Sequence, residues 1–117
     1  MVAACDMPFL DPRALRLFSD LARQVVPSPD AVAVRVDDER NPPLCAYLSV
    51  RCLPAVERVL EGDDRSVRAL LSSVATAWVA TEDIGRFRDP RTMFFNVNTP
   101  DDLRRAERIA RELIERT

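Results

Sequence analysis

Short runs of β-forming apolar residues alternate along this 117-residue chain with segments whose apolar positions recur at helical spacing. That alternation commits a chain to helices packed on a sheet. Met1-Val2-Ala3-Ala4-Cys5 reads as the first strand, closed by Asp6-Met7-Pro8. Asp11 then caps, and Pro12 opens, a helix whose Leu15, Phe18, Leu21, Ala22 and Val25 share one face, and it stops before Pro27-Ser28-Pro29. Ala31 to Asp37 alternates Ala and Val with Arg35 and Asp37 and is the next strand. A strand, helix and strand in this order predict a right-handed, parallel crossover.

Asp38 to Pro43 is a polar loop, and it is short enough that the strand Leu44 to Ser49 should return antiparallel, making the sheet mixed. Leu53 to Leu60 carries Leu53, Val56, Val59 and Leu60 at helical spacing and stops at Gly62, and Ser66 to Val74 is a shorter helix. Thr76 to Ala80 is a further strand. Thr81 to Thr92 shows no periodicity and is expected to be a surface loop, and Met93 to Val97 is expected to return to strand. Thr99-Pro100-Asp101-Asp102 is a helix start, with an N-cap, a proline at the first position and acids in the positive first turn. The helix it opens should run to the terminus, burying Leu103, Ala106, Ile109, Ala110 and Leu113.

With 47% hydrophobic and 31% charged residues, the chain has the composition of a globular protein, and its length suits one domain over 1–117. The net charge of −2 provides no global basic field for nucleic acid or an anionic membrane, so neither is an expected partner. All 17 positive charges are Arg, which suits bidentate contacts to phosphate or carboxylate but is equally explained by genomic base composition. Cys5, Cys45 and Cys52 form no Cys-x-x-Cys pair, and histidine is absent, so the cysteines read as reduced core residues rather than zinc ligands. No apolar run has the length of a membrane span, and the expected location is the cytoplasm.

Two turns can carry chemistry. Asp6-Met7-Pro8-Phe9 and Asn96-Val97-Asn98-Thr99-Pro100 each lie where a strand is expected to give way to a helix, the end of an open α/β sheet at which ligands bind. Side by side, Asp6 and Asn98 would offer a carboxylate and an amide oxygen to one Mg²⁺, with the amino terminus of the last helix facing the same crevice. From spacing alone, Asp6 reads first as an Asx turn residue and Asn96 and Asn98 as turn or capping amides, and only second as ligands. Gly62 and Gly85 are the only glycines and are far apart, so no glycine-rich phosphate cradle can form. Without histidine, Ser-His-Asp and Cys-His acyl chemistry are excluded.

These residues resemble a known family. Ala3-Ala4-Cys5-Asp6-Met7-Pro8-Phe9 is similar to the metal-binding turn of molybdenum cofactor (molybdopterin) guanylyltransferases, within the molybdopterin nucleotidyltransferase family. Glu39 to Leu44 resembles its substrate-side loop, Gly62 to Leu71 its Arg-containing helix start, and Phe95 to Leu103 its carboxyl-terminal signature. The resemblance covers the whole chain and corresponds to the carboxyl-terminal half of that family.

It implies an α/β fold: a partial Rossmann-like mixed sheet flanked by helices, of the nucleotide-diphospho-sugar-transferase kind, with the amino-terminal nucleotide-binding half absent. It implies Asp6 and Asn98 as catalytic residues and Mg²⁺ ligands, and Asn96 and Arg40 as substrate contacts. The reaction implied is transfer of GMP from GTP to molybdopterin, with the isolated chain inactive and a separately encoded nucleotide-binding half as a candidate partner. Arg65 and Arg68 read as helix-surface charges. Pro42-Pro43 stands where the family often has His-Pro, which leaves the chemistry of the substrate-side loop open. A cytidylyltransferase or other nucleotidyltransferase of the same fold, and a non-catalytic molybdopterin-binding or partner-pairing half-domain, are the alternatives.

Overall fold

The computed structural model describes residues 1–3, 6–35 and 45–115. Among them one four-stranded sheet forms, in the order β1 (Val2–Ala3), β3 (Cys45–Leu48), β2 (Ala31–Arg35), β4 (Thr76–Ala80). β3 runs antiparallel to both β1 and β2, placing Val2 opposite Ala46 and Val32 opposite Tyr47. β4 joins β2 in parallel, from Ala31 opposite Thr76 to Arg35 opposite Ala80. The sheet is therefore mixed. β1 and β2 point the same way, as the strand-helix-strand reading requires, but β3 lies between them, so they are not neighbours.

The two faces of the sheet follow from the two-residue period of a strand. Four consecutive residues of β2, Ala31 to Val34, are buried, the signature of a strand covered on both sides. Val32 and Val34 face one layer with Cys45 and Val79. There they meet Ala14, Phe18 and Ala22 of α1 (Pro12–Gln24), Ile84 of α4 (Thr81–Gly85) and Met93 of α5 (Pro90–Met93). Ala31, Ala33 and Ala46 face the other, packing on Leu71 of α3 (Val67–Ser73), with α2 (Leu53–Glu61) preceding it along the chain. Phe18 is fully buried, and withdrawing such a side chain from water is worth roughly 2–3 kcal/mol.

Two stretches depart from the sequence expectation. Thr81 to Thr92 is not a plain loop: α4 and α5 lie within it. Acids Glu82 and Asp83 occupy the positive first turn of α4, and the Asp89 carboxylate accepts the Arg91 N–H at 2.9 Å, capping α5 with Pro90 in its first turn. The triplet Asp89-Pro90-Arg91 repeats Asp11-Pro12-Arg13, where the Asp11 carboxylate accepts the Arg13 N–H at 2.9 Å and caps α1. The Met93 to Val97 stretch is not a strand. Met93 closes α5 with its side chain in the core, and the residues after it are irregular.

The last helix, α6 (Pro100–Glu115), starts where expected. Thr99 Oγ1 accepts the Asp102 N–H at 3.1 Å, and Asp102 Oδ2 accepts the N–H groups of Asn98 and Thr99 at 3.1 and 3.2 Å. This is a reciprocal capping box with Asp in the usual Glu position. Of the five expected core positions Ala106 is buried, Ile109, Ala110 and Leu113 are half-buried, and Leu103 is exposed.

Candidate functional site

The site is built on the turn that follows β1. Met7 and Phe9 are buried, so Met7 anchors the turn in the core while Asp6 and Pro8 remain at its rim. Three long-range contacts fix it. Val97 donates its backbone N–H to the Asp6 carbonyl at 2.8 Å. Arg88 Nη1 donates to the Phe9 carbonyl at 2.8 Å. Arg13 grips Asp11 with Nε at 3.1 Å and Nη2 at 2.8 Å, and the same Nη2 reaches the Phe87 carbonyl at 2.9 Å. The Arg13 guanidinium beside Asp11 holds that carboxyl down at about 2 against burial, which works in the opposite direction.

The Val97 bond brings the two chemistry-bearing turns together: the backbone of 96–98 lies directly against Asp6. Asn96 and Asn98 are both exposed beside it. Arg40 lies outside the described residues, as do Ala4, Cys5 and the loop from Glu39 to Leu44. Arg65 donates to the Gly62 carbonyl at 3.4 Å and caps the end of α2. The amino terminus of α6 is less open to an anion than its position suggests. Pro100 has no N–H, the Asp102 N–H is taken by Thr99, and Asp101 and Asp102 place negative charge in the first turn.

Asp6 Oδ1 is buried without a hydrogen-bond partner among the described residues. A buried acceptor left unpaired costs roughly 1–3 kcal/mol, and a cation or a donor from a ligand relieves that cost. Beside it opens a largely apolar groove of about 360 Å³, with Asp6, Pro8, Phe9 and Val97 on one side and Leu103, Ala106, Glu107 and Ala110 of α6 on the other. No group of three or more Asp, Glu, Cys or His gathers among the described residues, so an all-protein metal cage is not formed there. Mg²⁺ does not need one. It keeps several waters and is held by one or two carboxylates plus phosphate oxygens, and a carboxylate with one oxygen unpartnered among the described residues fits that donor set.

The sequence points to Asp6, Asn96 and Asn98 but not to the supporting contacts: Asp102 holds the Asn98 N–H, and Arg88 and Arg13 tie Phe9 and Asp11, which follow Asp6 in the same stretch, to the 87–88 segment. The recurrence of Asp-Pro-Arg was the available signal for Arg13.

Against this geometry the similarities to known proteins can be placed. Residues 1–81 match the MobA-like NTP transferase domain, and the chain belongs to that family. It is 34% identical over 112 residues to a probable molybdenum cofactor guanylyltransferase of Pelotomaculum thermopropionicum, covering 94% of this chain and 51% of that protein. A probable molybdenum cofactor guanylyltransferase of Methanosarcina mazei is 31% identical, over 87% of this chain and 44% of its own length. Among solved structures, molybdopterin-guanine dinucleotide biosynthesis protein A from Archaeoglobus fulgidus superimposes with a TM-score of 0.79 at 32% identity, covering 95% of this chain and 55% of that one. The chain thus spans about half the length of the relatives it matches. The α/β architecture, a mixed sheet flanked by helices, is that of this nucleotidyltransferase family. Among the described residues no helix is long and apolar enough to cross a membrane.

Proposed function

We propose that the chain supplies the metal-binding and molybdopterin-side half of a cytoplasmic molybdenum cofactor guanylyltransferase, acting on GTP and molybdopterin. The observation that carries this reading is Asp6: a carboxylate at a strand end, one oxygen buried without a partner, held against the 96–98 turn in a chain of this family. In the reaction, a phosphate oxygen of molybdopterin forms a bond to the α-phosphorus of GTP while the bond to pyrophosphate breaks.

Asp6 and Asn98 are assigned to hold Mg²⁺, which when bound neutralises charge on the phosphate oxygens as pyrophosphate leaves. The chain's own contribution is positional. Arg88 and Arg13 fix the turn behind Asp6, and Val97 fixes its carbonyl, beside the groove lined by Pro8, Phe9 and the α6 face. Asn96, exposed next to Asn98, is assigned to substrate contact, and Arg40 to the same role from the substrate-side loop.

The test is product analysis with the native protein from its source, given molybdopterin, Mg²⁺ and either GTP or CTP. GMP transfer with pyrophosphate release is expected with GTP. Transfer only from CTP would make the protein a cytidylyltransferase, and molybdopterin binding with no transfer from either nucleotide would make it a binding module.

A further inference from the structure

We infer that Arg88 is a positioning residue for Asp6, acting from the short connection between α4 and α5; the inference rests on the assignment of Asp6 as a metal ligand. Arg88 and Arg13 form a reciprocal clamp between two segments far apart in sequence. Arg88 donates to the Phe9 carbonyl at 2.8 Å across 79 positions, while Arg13 donates to the Phe87 carbonyl at 2.9 Å across 74. The Arg13 guanidinium also lies over the Phe87 ring, 5.4 Å from its centroid. Phe9 is buried and its bond with Arg88 is partly withdrawn from solvent, so removing the Arg88 donor takes a partner from a carbonyl that water reaches less freely.

Phe9 and Pro8 form the groove wall next to Asp6, only three and two positions along the chain from it. Metal binding demands that the carboxylate be held to a fraction of an ångström, so whatever fixes Phe9 bears on Asp6. The side chain that locks the turn at Phe9 is Arg88, while the Val97 backbone N–H holds it at Asp6.

A fold-wide comparison separates positioning from simple stabilisation. Arg51 does the same kind of work at the other end of the sheet, donating to the carbonyls of Ser28 at 3.4 Å and Pro29 at 3.2 Å. That end is remote from Asp6, because β1 and β2 run in the same direction and Pro29 precedes β2. Arg88→Met and Arg51→Met each remove one guanidinium with carbonyl contacts, but only the first touches the metal turn.

The experiment is an electron paramagnetic resonance titration of free Mn²⁺ with the full chain, its Arg88→Met, Arg88→Lys, Arg51→Met and Asp6→Ala variants, alongside their thermal midpoints. We expect Mn²⁺ affinity to fall at least fivefold in Arg88→Met and to be unchanged in Arg51→Met. Arg88→Lys should recover most of the affinity, because the contact to Phe9 uses one nitrogen that an ammonium can replace. Parent-like affinity in Arg88→Met with binding lost in Asp6→Ala overturns the inference and leaves the Asp6 assignment standing. Equal losses in Arg88→Met and Arg51→Met also overturn it, by reducing Arg88 to a general stabiliser. Parent-like affinity in Asp6→Ala overturns the metal assignment itself. Should Arg88→Met fail to fold, Arg88→Gln replaces it, its side chain being too short for the same contact.

Discussion

Replacing Asp11 tests how the candidate turn is tethered to the fold. Its carboxylate is almost wholly withdrawn from solvent, with a side-chain exposure of 4%, while its partner Arg13 is 61% exposed. Two contributions are lost in Asp11→Ala. Removing a helix N-cap costs about 1 kcal/mol, within roughly 0.5–2, and the ion pair, screened on the Arg13 side, adds about 0.5–1 kcal/mol. The total, roughly 1–3 kcal/mol, corresponds to a fall in thermal midpoint of about 4–12 °C for a domain of this size.

Asp11→Asn separates charge from cap, because Asn is nearly as good an N-cap. The folded Asp11 carboxyl is depressed from 3.8 to about 2, chiefly by the Arg13 hydrogen bond. A depressed carboxyl contributes stability that is present above its unfolded value and lost as pH falls through the folded one. The deficit of Asp11→Asn relative to the parent should therefore be full near pH 6 and shrink between about pH 4 and pH 2. Urea unfolding followed by circular dichroism at several pH values reads both effects. A deficit in Asp11→Asn that does not shrink on acidification, or an Asp11→Ala cost below about 0.5 kcal/mol, would refute the reasoning.

Other outcomes follow from packing, capping and burial. Phe18→Ala should cost about 3–5 kcal/mol by opening a cavity between α1 and the sheet, and a cooperative urea transition at the parent's midpoint would contradict the core assignment. Thr99→Ala should lose about 1 kcal/mol and fray the first turn of α6, read as loss of hydrogen-exchange protection at Asp102 and Leu103. The Cys45 thiol is pushed up to about 11 by burial and that of Cys52 is raised by burial and Asp30. Both should therefore resist a thiol reagent at neutral pH until urea unfolds the chain, and fast modification of either in the native protein would place it outside the core.

Much of the fold is legible in local chemistry. Asp11-Pro12 and Thr99-Pro100 announce α1 and α6 because a capping side chain satisfies an orphan N–H group, proline at the first position has none to satisfy, and an amphipathic run long enough to register follows each. β2 is legible as a strand because Ala31 to Val34 form an unbroken β-compatible apolar run, and all four are buried. The stretch from Thr81 to Val97 is not read correctly, for two reasons. α4 and α5 are single-turn helices too short for any periodicity to register, and Met93-Phe94-Phe95 looks like strand because apolar residues of a helix end and of a strand are alike in composition.

At the site, the candidate ligands are visible as residue types in the turn after β1 and just ahead of α6, whereas the clamp is not. Arg88 meets Phe9 across 79 positions, and nothing in the local sequence of either residue encodes the other. Leu103 was expected in the core and instead borders the groove beside Asp6, because the helical period identifies an apolar face but not what covers it.

The central claim is that Asp6 holds the metal on which guanylyl transfer depends. It is tested most directly by single-turnover transfer of labelled GMP from GTP to molybdopterin, comparing the native protein with Asp6→Ala at matched folding. The account predicts a rate loss of at least a hundredfold, about 2.7 kcal/mol of transition-state stabilisation, with the thermal midpoint unchanged or raised, since an unpaired buried oxygen is removed. Transfer at the parent rate by a folded Asp6→Ala protein would contradict it.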